Sequence, residues 1–230
     1  MSAFQKVWTT MADFTTTSSS NTDIASSPGN VEISSTLTQV QKTTAQFNTG
    51  TLSNTVVGTN SVSLITTKNL TVGQSYGGGI VAYILVPGDP GYNASIPHGL
   101  IAATADQSTG IAWITGGSTQ TTLNGNTSTA IGTGLANTNF MKAQTGYTGG
   151  AAAIASAYAG GGYSDWYLPS KDELNKLYLN KVAIGGFTTN YYWSSSEYNA
   201  SYAYYENFNS GNQTNGNKNT TYYVRAVRAF

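Results

Sequence analysis

Few side chains in this sequence could carry out bond chemistry. The chain has no cysteine and a single histidine, His98, so thiol catalysis, disulfides and cysteine-ligated metals are excluded. His98 lies in a segment rich in Pro and Gly, and neither an acidic residue nor a second histidine stands at a metal-ligand spacing from it. We predict that it is a surface or turn residue rather than a catalyst or a ligand.

Asp172 and Glu173 are adjacent carboxylates that could be proposed as an acid/base pair. Neighbouring residues on a helix point about 100° apart, so the two side chains cannot flank one scissile bond. Ser170 and Glu173 have the spacing of a helix capping box, and acidic residues in the first turn suit the positive end of the helix dipole. This pattern predicts a helix that begins after Ser170 and has no catalytic role.

A phosphate site and a calcium site are also not expected. The glycines at residues 77–79 are followed neither by a GK[ST] ending nor by a helical pattern, so we predict a turn into a buried strand. The triplets Glu-Pro-Asn and Trp-Asn-Asp, with which calcium-dependent lectins bind sugars, are absent, and acidic residues are sparse. We therefore predict a protein that is not an enzyme, needs no cofactor and holds no required metal.

The most distinctive stretch is residues 191–230, which contains eight of the 16 tyrosines and, between Asn199 and Asn219, seven asparagines. Tyrosine supplies rigid contact area, and Ser, Asn and Gly supply adaptable hydrogen bonds, as in antibody paratopes. A plain β-meander with strand tyrosines is the alternative interpretation. Before residues 224–230, charge is carried only by Glu197, Glu206 and Lys218.

The composition excludes several classes of partner. The formal net charge is zero and only 9% of the 230 residues are charged, so a basic surface for nucleic acid is not expected. No apolar run reaches membrane-spanning length. The first residues lack the apolar core of a secretory signal, so we expect either a removed signal or release without one, for example by phage lysis.

Elements that must position the tyrosine-rich stretch can be read along the chain. Residues 12–33 and 45–64 echo each other at an offset of 33 and then 31 residues, which predicts a small β-rich attachment or oligomerisation module at residues 1–72. A flexible Thr/Ser stalk is the alternative. Beyond it, apolar runs predict strands at residues 80–85, 99–103 and 110–114. Helices are predicted at residues 151–158 and from Ser170 to about Asn180.

Three motifs then carry a family resemblance. The sequence GYSDWYLPSKDEL at residues 162–174, YWSSSEY at residues 192–198 and VRAVRAF at residues 224–230 together resemble the Legionella-collagen-like C-terminal domain family. The resemblance covers about residues 76–230. It implies an α+β, C-type-lectin-like fold at residues 73–230, in the branch that holds formylglycine-generating enzymes, with two helices flanking a twisted antiparallel sheet and the terminal strands paired. Those enzymes use cysteines, so their activity is not carried over.

Within that branch the chain looks like the variable proteins of diversity-generating retroelements, in which a reverse transcriptase mutates template adenines. Asn codons are rich in adenine, and their mutation yields Tyr, Ser, Asp, Gly and Thr. The resemblance implies a variable region at about residues 193–230 framed by residues 193–196 and 224–230, with Trp166 and Trp193 as core residues. The implied ligand-binding positions are Tyr198, Asn199, Ser201, Tyr202, Tyr204, Tyr205, Asn207, Asn209, Asn212, Gln213, Asn215, Asn217, Asn219 and Tyr222. Because strand side chains alternate, several of these are expected to be buried.

The resulting hypothesis is a non-enzymatic receptor-binding protein, displayed on a phage tail tip and binding a host-surface protein or glycan. A bacterial cell-surface adhesin of the same fold and a purely structural virion component are the alternatives. The chain is not expected to bind nucleic acid or to insert into a membrane. Related proteins often trimerise, and repeated sites gain by avidity, so a homo-oligomer is expected, with a trimer favoured.

Overall fold

A computed structural model describes residues 70–116, 125 and 127–230, together with the backbone of four strands before residue 69. The chain divides into two compact units, Met1–Asn69 and Leu70–Phe230. Repeat segments predicted at residues 12–16 and 21–24, and most of the polar loop that follows residue 116, lie outside the described residues.

The described part of the first unit is a four-stranded antiparallel sheet. Its strands are β1 Glu32–Thr36, β2 Ala45–Phe47, β3 Gly50–Val56 and β4 Ser61–Lys68. Their order is β1-β4-β3-β2. In the outer pair, β1 and β4 meet with Ile33 opposite Leu64. These two residues occupy equivalent positions in the sequence echo, so the two halves of the echo meet at this pair.

The second unit is α+β and contains two sheets. The first holds β5 Ser75–Tyr76, β6 Gly79–Ile84, β7 Gly99–Ala102 and β13 Val227–Ala229, in the order β13-β7-β6-β5. The second holds β8 Ser108–Ala112, β9 Tyr191–Glu197, β10 Tyr202–Asn207, β11 Gln213–Asn217 and β12 Thr221–Val224, in the order β11-β10-β9-β12-β8. The expectation of one antiparallel sheet was wrong, because there are two and β12 pairs with β9 in parallel. The last strand also pairs with β7 rather than with the first strand of the unit.

Four α-helices lie in the described part of this unit, where two were predicted. They are α1 Gly134–Lys142, α2 Ala151–Ser156, α3 Lys171–Leu179 and α4 Lys181–Ile184. Helix α1 was missed because glycines and β-branched residues precede it and no side chain caps its start. Its buried Thr138 shows what fixes it, since the hydroxyl donates to Gly134 O at 2.8 Å and accepts from Leu168 N at 3.0 Å. None of the helices described has the length and apolarity that crossing a membrane requires.

The capping box predicted before α3 is confirmed. Ser170 Oγ accepts a hydrogen bond from Glu173 N, and a Glu173 carboxylate oxygen accepts one from Ser170 N at 2.7 Å. Glu173 is fully buried and also accepts from Gly132 N at 2.8 Å. Burial raises the pKa of Glu173 against the opposing effect of these hydrogen bonds. The Glu173 carboxyl group is therefore a structural anchor at the start of α3.

Three buried tryptophans organise the core of the second unit. Trp113, Trp166 and Trp193 are at most 1% exposed, which confirms the prediction for the last two. Each indole N–H donates to a backbone carbonyl, as buried tryptophans require: Trp113 to Ser194 O at 2.7 Å, Trp166 to Gly160 O at 3.2 Å and Trp193 to Ile111 O at 2.9 Å. The bonds of Trp113 and Trp193 fix the position of β9 relative to β8.

A buried arginine joins the elements at the centre of the unit. Arg225 lies between β12 and β13, is fully buried, and pairs with Asp106 at 2.7 Å. Its guanidinium also donates to Ala103 O at 3.0 Å and to Gly186 O, and it stacks 4.1 Å from the Phe187 ring centroid. One side chain therefore connects both sheets to the loop that follows α4.

The chain offers a matched pair for testing this connection, because the same VRAVRAF motif carries Arg228. That side chain pairs with Asp165, which is half exposed. We expect Arg225→Met to lower the free energy of unfolding by about 3–5 kcal/mol, since it leaves Asp106 buried without its partner. Arg228→Met should cost about 1 kcal/mol or less. Urea denaturation followed by tryptophan fluorescence compares the two, and equal costs would contradict the central role of Arg225.

Candidate ligand-binding surface

The fourteen predicted positions all keep accessible surface. Seven are exposed, namely Tyr198, Asn199, Tyr202, Asn209, Asn212, Asn217 and Asn219. Seven are partly exposed, namely Ser201, Tyr204, Tyr205, Asn207, Gln213, Asn215 and Tyr222. The expectation that several are buried was wrong. The reason is that many of the positions lie in turns, and most of the others lie on the hairpin of β10 with the edge strand β11, whose faces are only partly covered.

The register of the β10–β11 hairpin separates the strand positions by face. Three cross-strand pairs are Tyr202 opposite Asn217, Tyr204 opposite Asn215, and Glu206 opposite Gln213. Residues two apart on a strand share a face, so these six side chains lie on one side of the hairpin. We call five of them the hairpin face: Tyr202, Tyr204, Gln213, Asn215 and Asn217. The sixth, Glu206, is buried.

Two neighbours extend the hairpin face. The Tyr198 ring, 53% exposed, meets the Tyr204 ring edge-on at a centroid distance of 5.4 Å. From α3, Lys171 Nζ lies 5.1 Å from the centroid of the Tyr204 ring, a cation–π contact. Lys171 was not predicted to lie at the site. Its only signal in the sequence was its place in the first turn of a helix.

The opposite face of the same sheet carries a second aromatic group. Tyr191, Tyr205 and Tyr222 pack together, with ring centroids 4.7–5.3 Å apart, and we call them the tyrosine platform. The platform rests on Trp193, whose ring centroid is 4.5 Å from that of Tyr222. Burial and the neighbouring hydroxyl of Tyr205 raise the pKa of Tyr222 to about 12. Tyr205 and Tyr222 were predicted; Tyr191, 43% exposed, was not.

Several of the predicted asparagines form turns with their side chains. Asn199 Oδ1 accepts from Ser201 N at 2.9 Å and from Tyr202 N at 3.0 Å. Asn207 Oδ1 accepts from Asn209 N at 2.9 Å. Such Asx turns reproduce a backbone turn with a side chain. The sequence prediction did not separate these turn positions from the strand positions that face solvent.

All three charged side chains between residues 191 and 223, those of Glu197, Glu206 and Lys218, are buried. Lys218 and Glu197 form an ion pair whose side chains are 0% and 3% exposed, and Lys218 Nζ lies 5.0 Å from the Trp113 ring centroid. Burial lowers the pKa of Lys218 against the opposing effect of Glu197. Glu206 is fully buried. The surface between residues 191 and 224 is therefore uncharged, a property that the positions of these charges in the sequence did not indicate.

Glu206 lies directly beneath the hairpin face. One of its carboxyl oxygens, Oε2, accepts from Gln213 Nε2 at 3.2 Å, and the same amide donates to Lys171 O at 2.7 Å. Among the described residues, the other oxygen, Oε1, has no hydrogen-bond partner. Burial raises the pKa of Glu206 to about 8, although Gln213 and the charges of Lys171 and Lys181 act in the opposite direction. The carboxyl is therefore largely protonated at neutral pH.

The predicted frame of the stretch, residues 193–196 and 224–230, is buried in its first part and only partly buried in its second part. Residues 193–196 are all fully buried, and Ser194, Ser195 and Ser196 each use their hydroxyl inside the unit. At the other end, residues 224–227 are fully buried. Arg228 and Phe230 are partly exposed and Ala229 is exposed, so the last three residues of the predicted frame keep accessible surface, as do the fourteen predicted positions between its two parts.

The described residues bring no reactive constellation together. His98 Nδ1 lies 3.1 Å from Phe230 O, far along the chain, and so joins the last residue to the start of β7. No group of three or more His, Asp or Glu residues in the described part of the chain is placed to bind a metal. The surface can offer rings, amides and hydroxyls to a ligand.

Comparison with known families fits this arrangement. The model of the Lcl C-terminal domain matches residues 102–228, more than half of the chain. The chain belongs to the Lcl C-terminal domain family. This Legionella collagen-like family is linked to the variable proteins of diversity-generating retroelements. The Lcl match begins in β7 and ends in β13, so it contains the hairpin face, the tyrosine platform and all of the predicted frame except residues 229 and 230. No curated protein matches the chain.

The raised pKa of Glu206 makes a prediction about stability. Between the ordinary glutamate pKa of 4.5 and about 8, the folded state binds a proton that the unfolded state has released, so stability falls as pH rises through this window. Glu206→Gln removes that dependence and should raise the free energy of unfolding by on the order of 2–4 kcal/mol at pH 9. At pH 4 the difference from the native protein should be small.

Urea denaturation at pH 4, 7 and 9 measures this difference. Asp172→Asn, a change of the same kind at a partly exposed residue of α3, serves as the control and should not reproduce the gain in stability that Glu206→Gln gives at pH 9. A Glu206→Gln protein with the native pH profile would show that Glu206 is ionised in the folded state at neutral pH.

Proposed function

We propose that the second unit is a non-enzymatic ligand-binding domain with a C-type-lectin-like fold, and that the hairpin face with Tyr198 is its binding surface. The observation that carries this proposal is the contrast within residues 191–224: every charged side chain is buried, while every predicted tyrosine and asparagine position keeps accessible surface. A stretch with a purely structural role has no need to expose so many tyrosines.

The chemistry of the surface suits recognition without reaction. Tyrosines form anchors of large area with little loss of side-chain entropy, and binding energy concentrates in such residues when polar contacts surround them. On the hairpin face each exposed tyrosine stands opposite an asparagine, since Tyr202 pairs with Asn217 and Tyr204 with Asn215. A ligand would therefore meet alternating rings and amides on a single surface.

The same surface is suited to diversification. Side chains at the sheet edge can change without opening the core, whereas the ends of the stretch are held by Trp193 and Arg225. We propose that a retroelement diversifies the positions between these ends. The Lcl family membership supports this, as do the Asn codons, whose adenines are the targets of the mutating enzyme.

We further propose that the protein is a phage tail receptor-binding protein that attaches the particle to a host-surface protein or glycan. The β-rich first unit would supply attachment to the particle or oligomerisation, and a trimer would multiply weak contacts by avidity. A bacterial cell-surface adhesin would use the same surface in the same way. The setting is the tail tip in the first case and the cell exterior in the second.

Binding can be tested with a matched tyrosine. The labelled full-length chain is incubated with a panel of bacterial cells and with a glycan array. We expect Tyr202→Ala and Tyr204→Ala each to weaken binding to any positive surface by tenfold or more, the size of a binding hot spot. Tyr92→Ala is the control, since Tyr92 is 38% exposed and Tyr202 39% exposed, but Tyr92 lies in the loop before β7.

Loss of binding in all three variants, or in none of them while the array remains positive, would place the site elsewhere. Circular dichroism and the unfolding midpoint confirm that each variant is folded. A double change, Tyr205→Ala with Tyr222→Ala, tests whether the tyrosine platform contributes.

Diversification is tested by the sequences of sibling isolates across codons 190–230. We expect substitutions to concentrate at adenine-containing codons of Tyr198 and of the hairpin face, with the fewest at Gln213 because its amide bonds Glu206, and residues 193–196 and 224–230 to stay constant. A reverse transcriptase gene and a near-repeat of the final coding segment should lie close to the gene. Substitutions spread evenly over buried and exposed codons would contradict the proposal.

A further inference from the structure

A buried acid under a surface that otherwise has no charge needs a physical reason. Glu206 is fully buried, and within the described part of the chain its Oε1 has no hydrogen-bond partner. An unpaired buried polar atom is destabilising, and an ionised carboxylate without a full set of partners is more strongly so. A glutamine or a leucine at this position would avoid that cost, so the acid is the feature to explain.

The groups around Glu206 come from every element packed against it. On β11, Gln213 is neutral and bridges Oε2 to Lys171 O. On β9, Tyr192 stands opposite Glu206, and its hydroxyl donates to Asp106 at 2.9 Å. The charges that act on the carboxyl are those of Lys171 on α3 and Lys181 on α4.

The two lysines differ in how firmly they are held. Lys181 Nζ donates to Phe208 O at 2.7 Å and lies 4.2 Å from the Tyr178 ring centroid. Salt bridges in the described ranges engage Lys218, Arg225 and Arg228, and none engages Lys171. The contact of the Lys171 ammonium is the Tyr204 ring, at 5.1 Å. Lys171 is therefore the cation that can respond to a charge on Glu206.

We propose that Glu206 and Lys171 form a proton-controlled switch beneath the hairpin face. With Glu206 neutral, the Lys171 ammonium stays over the Tyr204 ring and is presented at the surface. When Glu206 loses its proton, its unpaired Oε1 becomes the strongest acceptor near Lys171, and the ammonium leaves the ring to pair with it. The proton goes to solvent, and no covalent bond changes.

The consequence for binding rests on the proposed function. Below the titration midpoint, a ligand that contacts Tyr204 meets a cation beside the ring and gains from an oxygen-rich or anionic group at that point. Above the midpoint, the same ligand meets the Tyr204 ring without the Lys171 ammonium beside it. Because neither Lys171 nor Glu206 is among the predicted variable positions, the switch would act in the same way in every variant that keeps Tyr204.

The switch can be tested in the ligand-free, full-length chain by NMR of ¹³C-labelled lysine side chains. Lys171 is assigned by its loss in Lys171→Arg. We expect its ε-methylene protons to be shifted upfield by the Tyr204 ring at pH 6.5, and to lose that shift with a midpoint near the Glu206 pKa of about 8. In Glu206→Gln the upfield shift should persist to pH 9.

Lys176 gives an internal control, since its Nζ lies 4.5 Å from the Tyr83 ring centroid, and its signal should not move over this range. A constant Lys171 signal in the native protein, or the same transition in Glu206→Gln, overturns the switch. The titration of Glu206 can also be followed in the native protein through the ¹³C resonance of its carboxyl group. A titration midpoint below pH 6 would overturn the switch as well. Since no ligand is present, failure here leaves the binding proposal untouched, and failure of the Tyr202 and Tyr204 variants leaves the switch untouched.

Discussion

The second unit depends on one buried guanidinium. Arg225 cannot be left without partners, because a planar cation excluded from water needs acceptors for its donors, and it finds them on Asp106, Ala103 and Gly186. Gly186 can approach so closely because its φ of +70° suits glycine, and a Cβ there would press on Thr104 O at 3.0 Å. The chain on either side of Arg225 enters one sheet as β12 and the other as β13, so the two sheets are fixed together at this residue.

That rigid support explains how a surface rich in tyrosine and asparagine can tolerate change. The tryptophan N–H bonds and the buried serines of residues 194–196 hold β9 independently of the side chains on β10 and β11. The buried ion pair of Lys218 with Glu197 joins the residue that follows β11 to the last residue of β9. Stability thus comes from groups under the hairpin, while the exposed tyrosines carry little of it. Binding sites built on rigid elements lose less entropy when they capture a ligand.

The sequence predicted the parts of this arrangement that have a local cause. A capping box is decided by four residues, so α3 was found from Ser170 and Glu173; an apolar run marks a buried strand, so β6 and β7 were found. The parts that depend on distant contacts were not visible. Helix α1 is fixed by Thr138 against Leu168, thirty positions away, and Lys171 reaches the site only because α3 packs on β10. Burial of Glu206 likewise follows from helix packing, which leaves no local pattern.

The positions of the hairpin face therefore differ in how freely they can be substituted. Among the described residues, no side-chain hydrogen bond ties Tyr202 or Asn215 to the support. Asn217 Oδ1 accepts from Asn219 N in a turn, and Gln213 donates its amide to Lys171 O at 2.7 Å and to Glu206 Oε2 at 3.2 Å. Replacing Gln213 by an apolar residue would leave both carboxyl oxygens of Glu206 unpaired in a dry site, which costs more than the loss of one surface contact. Diversity at position 213 is thus limited by the acid beneath it, and the ligand surface is free to change only where no buried group depends on it.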